Sequence, residues 1–468
     1  MKAKWRILMI LGLTAALVAA AWFALTKWER DAGPVRWCDW GAGDAMPDGA
    51  ERELDTVLQA HGSARNRCAR GYEVLLGMAA HPSRRDEGIR SAHLRDKAMK
   101  MAALCRSAGG DRGRARARLL EWGYAKFPSE TDPNGGATRA LIVEFAKQLS
   151  GELAGDAFFF AANTPPRDVP DEMLTKRSLQ TYEGAMPDGH WKIARSHFEL
   201  ARIYMCCDAP QAAAAVGRAL DESVGVGLRL IDQACLHVAA AGAADRLRQQ
   251  GHKPGEGEPP IANRVKDHCD TARSILNRPE LSSDPAGFEL ARACVAPLLG
   301  AGRRDAGVAL LAGLVEQASV TSKISTPLRQ RLLEQYAVAL YTQGEGAAAV
   351  EAYRELIASL SETLPADHPH LVQQMVDLGN AYLMMGRIDE AQQSHDEAIE
   401  RMKNAAGDGK PMLVGRRLQD IAREYQRRGH PALAKQYARR AQKSWAAVVP
   451  PGHPDLQLIE DFIAHLEK

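Results

Sequence analysis

Arg416, Arg423 and Arg427 stand 7 and 4 residues apart, a spacing that brings three guanidinium groups close to one face of a helix. Such a stripe suits an extended acidic segment or a carboxylate terminus, held by charge-assisted hydrogen bonds. The plainer alternative is a solvated helix face. Cysteine offers a second chemistry. There are eight (Cys38, Cys68, Cys105, Cys206, Cys207, Cys235, Cys269, Cys294), with no CxxC and no His-rich spacing of the kind that zinc needs. An even set points to disulfides on the oxidising side of a membrane, with buried thiols as the alternative. Two pairings would tie neighbouring helices: Cys269 with Cys294, and Cys206 or Cys207 with Cys235. The vicinal Cys206-Cys207 lacks the spacer of a redox motif and reads as structural.

Catalytic signatures are missing from the usual patterns. The sequence holds no HExxH, GxSxG, phosphate loop or CxxCH, and Gly225-Val226-Gly227 lacks the third glycine of a dinucleotide site. His368-Pro369-His370 reads as a helix start rather than a metal ligand pair. No catalytic residue, cofactor or metal is therefore assigned. A net charge of +2, from 60 basic and 58 acidic residues spread through the chain, argues against a nucleic-acid surface. The local run Asp111 to Arg118 reads as a loop and the solvated start of a helix.

The elements that must position these groups show themselves as a repeat. Pro285, Pro327, Pro369, Pro411 and Pro454 are 42, 42, 42 and 43 residues apart. Behind the first four come Gly302, Gly344, Gly386 and Gly429, and five residues later Gly307, Ala349, Ala391 and Ala434. Proline suits a first helical turn because the amide it lacks would be unpaired there. Glycine suits the stop, where the chain turns through a left-handed conformation. Between these marks Met375, Leu378, Gly379 and Tyr382 share one helical face, and Ala391, His395, Ala398 and Ile399 another. The period therefore defines pairs of helices stacked in an all-α array.

Leu378-Gly379-Asn380-Ala381-Tyr382, Gly386, Asp389-Glu390-Ala391 and Ala398 resemble the tetratricopeptide pattern. The 42-residue pitch with His368-Pro369 and His453-Pro454 is similar to the long-helix repeats of kinesin light chains. The second unit keeps Leu333, Tyr336, Ala337, Gly344, Ala349 and Tyr353. The fourth keeps Leu418, Ala422, Tyr425, Gly429, Ala434 and Ala441. The first has Pro297 inside its first helix, which predicts a kink. Residues 455–466 form a closing helix. The resemblance implies a stack of helix pairs whose first helices, the A helices, line a concave surface. It implies partner-facing residues at Arg331, Glu334, Val338 and Tyr341; at Gln373, Val376, Asn380 and Leu383; and at Arg416, Gln419, Arg423, Gln426 and Arg427. Asn380 sits where such proteins hold a peptide backbone with an amide that both donates and accepts.

Upstream, Ile7 to Thr26 is twenty residues without a charge, long enough to cross a bilayer. Trp22 and Trp28 stand where interfacial aromatics belong. A cleaved signal peptide is the alternative, with Ala19-Ala20-Ala21 as its site. Arginine outnumbers lysine 43 to 17, a usage associated with high-GC bacteria, so the oxidising side is taken as the periplasm. Five regions follow: an anchor over 1–30, an irregular α-helical region over 31–190, degenerate repeat-like helices over 191–250, a linker and helix over 251–284, and the array with its capping helix over 285–468. Within 31–190, helices are expected at 51–60, 65–78, 89–106, 114–126 and 137–153. The expected function is a membrane-anchored scaffold that binds proteins in the periplasm through the concave face. The rivals are an enzyme with its site in 31–250 and the repeats as a targeting module, or a self-assembling structural protein.

Overall fold

The computed structural model describes residues 48–78, 89–124, 136–163, 171–205, 207–224, 228, 230–255, 258–279, 281–404 and 410–466. Those residues form helices and turns, with no strand among them. Two compact units divide after Arg303. Among the described residues no helix is long and apolar enough to cross a membrane, and the segment Ile7 to Thr26 lies outside them.

The first unit contains α1 (Asp48–Gln59), α2 (Ala64–Met78), α3 (Ile89–Ser107), α4 (Gly110–Gly123), α5 (Gly136–Ala146), α6 (Glu152–Ala162), α7 (Glu172–Glu183), α8 (Trp191–Tyr204), α9 (Ala209–Ser223), α10 (Leu230–Gln249), α11 (Ile261–Leu276), α12 (Pro285–Ala293) and α13 (Val295–Gly300). Its centre is α6, where every residue from Leu153 to Ala162 is buried. Phe158, Phe159 and Phe160 join Tyr72, Leu75, Leu76, Met101, Leu119 and Leu120 in one apolar core. Gly155 lets α7 lie against α6, because a β-carbon there would meet the Tyr182 ring at 2.4 Å.

Four charged side chains meet inside this core. Lys192, only 2% exposed, places its Nζ 2.7 Å from Glu152, 2.9 Å from Asp156 and 3.2 Å from Glu73. The Tyr182 hydroxyl donates to Asp156 at 2.8 Å. One ammonium thus binds α8 to α6 and α2. Its proximity to three carboxylates, which outweighs its own loss of water, holds Lys192 well above the ordinary lysine range.

The sequence expectations need several corrections here. The single helix expected over 137–153 is two, broken where Gly151 takes φ +58°. The basic run 111–118 lies within α4 and starts no loop, because the turn falls earlier, at Gly109 and Gly110, both at φ +72°. Residues 252–255 and 258–260 are irregular, as their glycine and proline require, but the units divide later, after Arg303. The expected Cys269–Cys294 bond is absent. Both are buried thiols, and the Cys269 Sγ lies 3.8 Å from the main-chain oxygen of Cys294, a residue fixed by the break between α12 and α13. Cys207 is an exposed thiol, whereas Cys235 is disulfide-bonded and Cys206 lies outside the described residues. The pair not foreseen is Cys68–Cys105, which ties α2 to α3 across 37 residues.

The second unit holds α14 (Arg304–Val320), α15 (Thr326–Gln343), α16 (Gly346–Thr363), α17 (Pro369–Met384), α18 (Ile388–Asn404), α19 (Lys410–Arg427), α20 (Pro431–Ala446) and α21 (Pro454–Leu466). The sequence marks act as read. Pro327, Pro369, Pro411 and Pro454 sit in first turns, and Gly344, Gly386 and Gly429 take φ +88°, +72° and +83°. The A helices α15, α17 and α19 form one layer, and the B helices α16, α18 and α20 the other.

Replacing Lys192 with methionine leaves the three carboxylates of Glu73, Glu152 and Asp156 facing one another without their cation, and is expected to cost about 3–5 kcal/mol. Chemical denaturation of the full chain measures it; a variant as stable as the wild type would remove the structural role. Loss of water raises the Glu73 carboxyl from 4.5 to about 7. A raised carboxyl stabilises the fold fully below its unfolded value, and that contribution is lost as pH climbs through about 7. Melting temperatures taken across that window should fall for the wild type and stay flatter for Glu73→Gln.

Candidate functional site

The face of interest is the exposed side of the A helices. On α15 Arg331 and Val338 are exposed, with Glu334 and Tyr341 half-buried between and beside them. On α17 His370, Gln373, Asp377, Asn380 and Met384 are half-buried. On α19 Leu413, Arg416, Asp420, Arg423 and Arg427 are exposed. Each set advances by alternate steps of three and four, the mark of one helical stripe.

Most of the expected residues lie on these stripes. Val376 and Leu383, 3% exposed, and Gln419, 6% exposed, do not. The two aliphatic side chains belong to the core between α17 and its neighbours. Gln426 is half-buried. The sequence reading missed His370, Asp377, Asp420, Glu424 and Arg428. Their signal was a 3-4 spacing that continues from Gln373 through Asp377 to Asn380.

Polar bonds stitch the three helices together. Glu334 Oε1 lies 3.2 Å from the His370 ring and accepts from Gln374 at 2.9 Å, joining α15 to α17. The Tyr341 hydroxyl donates to Glu424 at 3.2 Å and accepts from Arg428 at 3.2 Å, joining α15 to the end of α19. Glu424 also holds Arg427 and accepts from Arg428 at 2.9 Å. The arginine stripe is therefore partly answered from within. Arg423 stands 4.0 Å from Asp420, while Arg416 makes no ion pair among the described residues and Arg427 stays 66% exposed.

Behind the face, His395 locks α18 to α17 and α19. It is fully buried, and a β-carbon on Gly379 would meet its ring at 2.4 Å. Its Nε2–H donates to the Val376 carbonyl at 3.3 Å and to Asn380 Oδ1 at 3.2 Å. Nδ1 accepts from the Tyr425 hydroxyl at 3.3 Å. Asn380 thus spends its oxygen on the histidine and keeps its amide nitrogen for the surface. Burial lowers His395 to about 4, so the ring is neutral.

The Lys192 cluster of the first unit is the other concentration of titratable groups. Its three carboxylates offer oxygens within 4.8 Å of one another, a closeness that would suit a metal, but the Lys192 ammonium already stands among them. A lysine held protonated is no nucleophile. The cluster's role is that of an ionic tie between helices.

A sequence profile of the tetratricopeptide repeat matches residues 328–404. That part of the chain is a tetratricopeptide-repeat array. No functionally characterised protein matches the chain by sequence. Among solved structures, a putative kinesin light chain from Podosopora anserina with nearly identical TPR-like repeats shares 18% identity over 46% of this chain and 97% of its own, with a TM-score of 0.37. BtubC from P. vanneervenii shares 14% over 54% and 94%, at 0.37. Aspartyl phosphate phosphatase F from Bacillus subtilis shares 12% over 91% and 95%, at 0.39. Likeness at this level carries no argument about function.

His395 has an ordinary value of 6.5 and a folded value of about 4. A depressed value stabilises the fold above the unfolded one and is lost as pH falls between the two, on the order of 3 kcal/mol at full titration. Acid denaturation of wild type and His395→Leu should show the smaller pH slope in the variant between those values. Equal slopes would mean that the ring is not held neutral. The difference between the two proteins isolates this ring from His190 and His268, which burial also lowers to about 4.

Proposed function

We propose that this chain is a membrane-anchored scaffold that holds partner proteins on the A-helix face of its C-terminal repeats, and that the α19 stripe takes an acidic segment of the partner. Tetratricopeptide repeats are protein-interaction modules, and the coarse function follows from them. The finer reading is carried by one observation: Arg416, Arg423 and Arg427 are exposed in one line on α19, beside the half-buried amides of Gln373 and Asn380. An extended chain laid there meets guanidinium groups for its carboxylates and, for its backbone, the Asn380 amide nitrogen and the Gln373 amide oxygen, the Gln373 nitrogen being held by Asp377. Glu334 and Asp377 on the neighbouring helices restrict acidic side chains to the α19 side.

The anchor is the uncharged segment Ile7 to Thr26, and the bulk of the chain is placed in the periplasm. The Cys68–Cys105 disulfide supports an oxidising compartment.

The test is binding of a fluorescent peptide rich in glutamate with a free carboxyl terminus. Wild type should bind it with an affinity that falls steeply with salt. Charge reversal at Arg416, Arg423 and Arg427 to glutamate, in protein of unchanged helicity, should weaken binding by about tenfold or more, the effect of losing one to two kcal/mol of charged contacts. Equal binding by both proteins would reject the acidic-segment reading.

A further inference from the structure

In the first unit, α10 and α11 pack along each other and bring two histidines together. His237 and His268, both half-buried, stand with their Nδ1 atoms 3.2 Å apart and their ring centroids 5.4 Å apart. The backbone behind each ring is fixed. Ala234 and Ala241 lie about one turn to either side of His237, and Val265 and Ala272 about one turn to either side of His268; all four are fully buried. Burial holds His237 below its ordinary value, and burial together with the nearness of His237 and Arg264 brings His268 to about 4. Both rings are therefore neutral at pH 7 and carry lone pairs.

We propose that His237 and His268 form a two-histidine site for a divalent first-row transition ion of the Cu²⁺ or Zn²⁺ class, bound through the two Nδ1 atoms. A tetrahedral ion with metal–nitrogen bonds of about 2.0–2.1 Å sets two nitrogens about 3.3–3.4 Å apart, so the rings already stand within a few tenths of an ångström of that separation. A single hydrogen joins them in the metal-free protein, one Nδ1 donating it and the other accepting. The ion takes its place when the donor ring carries its hydrogen on Nε2 instead. Each Nδ1 then offers a lone pair, each Nε2–H faces the half-open surface where water accepts it, and no net proton is lost. Neutral imidazole selects borderline ions over Mg²⁺ and Ca²⁺, which take oxygen. Arg264, the cation that bears on His268, is itself answered by Glu258 at 3.1 Å. Among the described residues no third histidine, cysteine or carboxylate joins the pair closely enough to share an ion. Water therefore completes the coordination, and the ion is held more loosely than in a closed four-ligand site. Bound there, it is a clasp between α10 and α11.

Metal titration tests it on the full-length chain in a nonionic detergent, without an affinity tag and stripped with EDTA. All proteins carry Cys207→Ser, because that exposed thiol takes the same ions. Cu²⁺ should bind with an electron paramagnetic resonance spectrum that shows coupling to two imidazole nitrogens. Zn²⁺ should raise the melting temperature progressively with its concentration, as an ion that binds only the folded chain must. Excess Mg²⁺ or Ca²⁺ should change neither result. His237→Gln and His268→Gln keep an amide that bonds the remaining ring, and melting curves in EDTA confirm that they fold. Each should weaken Cu²⁺ binding by about tenfold or more and lose the two-nitrogen spectrum. A parent spectrum without coupling to two nitrogens, a histidine variant that binds Cu²⁺ as tightly as its parent, or displacement of Cu²⁺ by Mg²⁺ overturns the proposal. The parent spectrum decides by itself should either variant fail to fold.

Discussion

A single ammonium inside an apolar core sets how the first unit closes. Lys192 stands in the first turn of α8, the end of a helix where a positive charge is least welcome. It remains there because Glu73, Glu152 and Asp156 surround it, and two of these come from α6, which is buried along its whole length. A buried ion of either sign is costly alone and tolerable only with its partners in place. The helices α2, α6 and α8 must therefore arrive together. The cluster specifies one arrangement among the many that would bury the same phenylalanines.

The second unit solves the same problem with missing atoms. Gly379 has no β-carbon, so the His395 ring lies against its backbone, and Tyr425 and Tyr437 stack beside it with centroids 5.2 Å apart. The ring is neutral because its burial disfavours the charge more than nearby Asp396 and Glu424 favour it. Its two nitrogens are used as one donor and one acceptor, toward α17 and α19 respectively. Asn380, expected to serve a partner, serves this ring first. Structure and recognition share a residue, and only its amide nitrogen is left to the surface.

The repeat array was legible because proline, glycine and small residues mark local events that depend on few neighbours. The start of α17 at Pro369 and its end before Gly386 follow from backbone chemistry alone. Which face of α17 reaches solvent was less legible. Val376 and Leu383 were expected on the surface from the repeat pattern, yet two apolar side chains with a core on either side go inward. The first unit was hardest to read, because its decisive contacts join residues 73, 152, 156 and 192, and only Glu152 and Asp156 have helical spacing. The cysteines show the same limit. Cys269 and Cys294 were rightly brought near each other, but nearness of helices does not put two sulfur atoms in register.

The link from Tyr341 to Glu424 and Arg428 reaches past a whole repeat. In a stack of helix pairs each unit ordinarily touches only the next, and the array then behaves as a coil spring whose compliance is the sum of its joints. A bond between first and third coils acts as a strut across two joints. It stiffens the spring at the carboxyl ends of the A helices, and the bonds from Glu334 to His370 and Gln374 brace the first joint nearer their amino ends. Pulled along its axis, such an array opens at its unbraced joints rather than lengthening evenly.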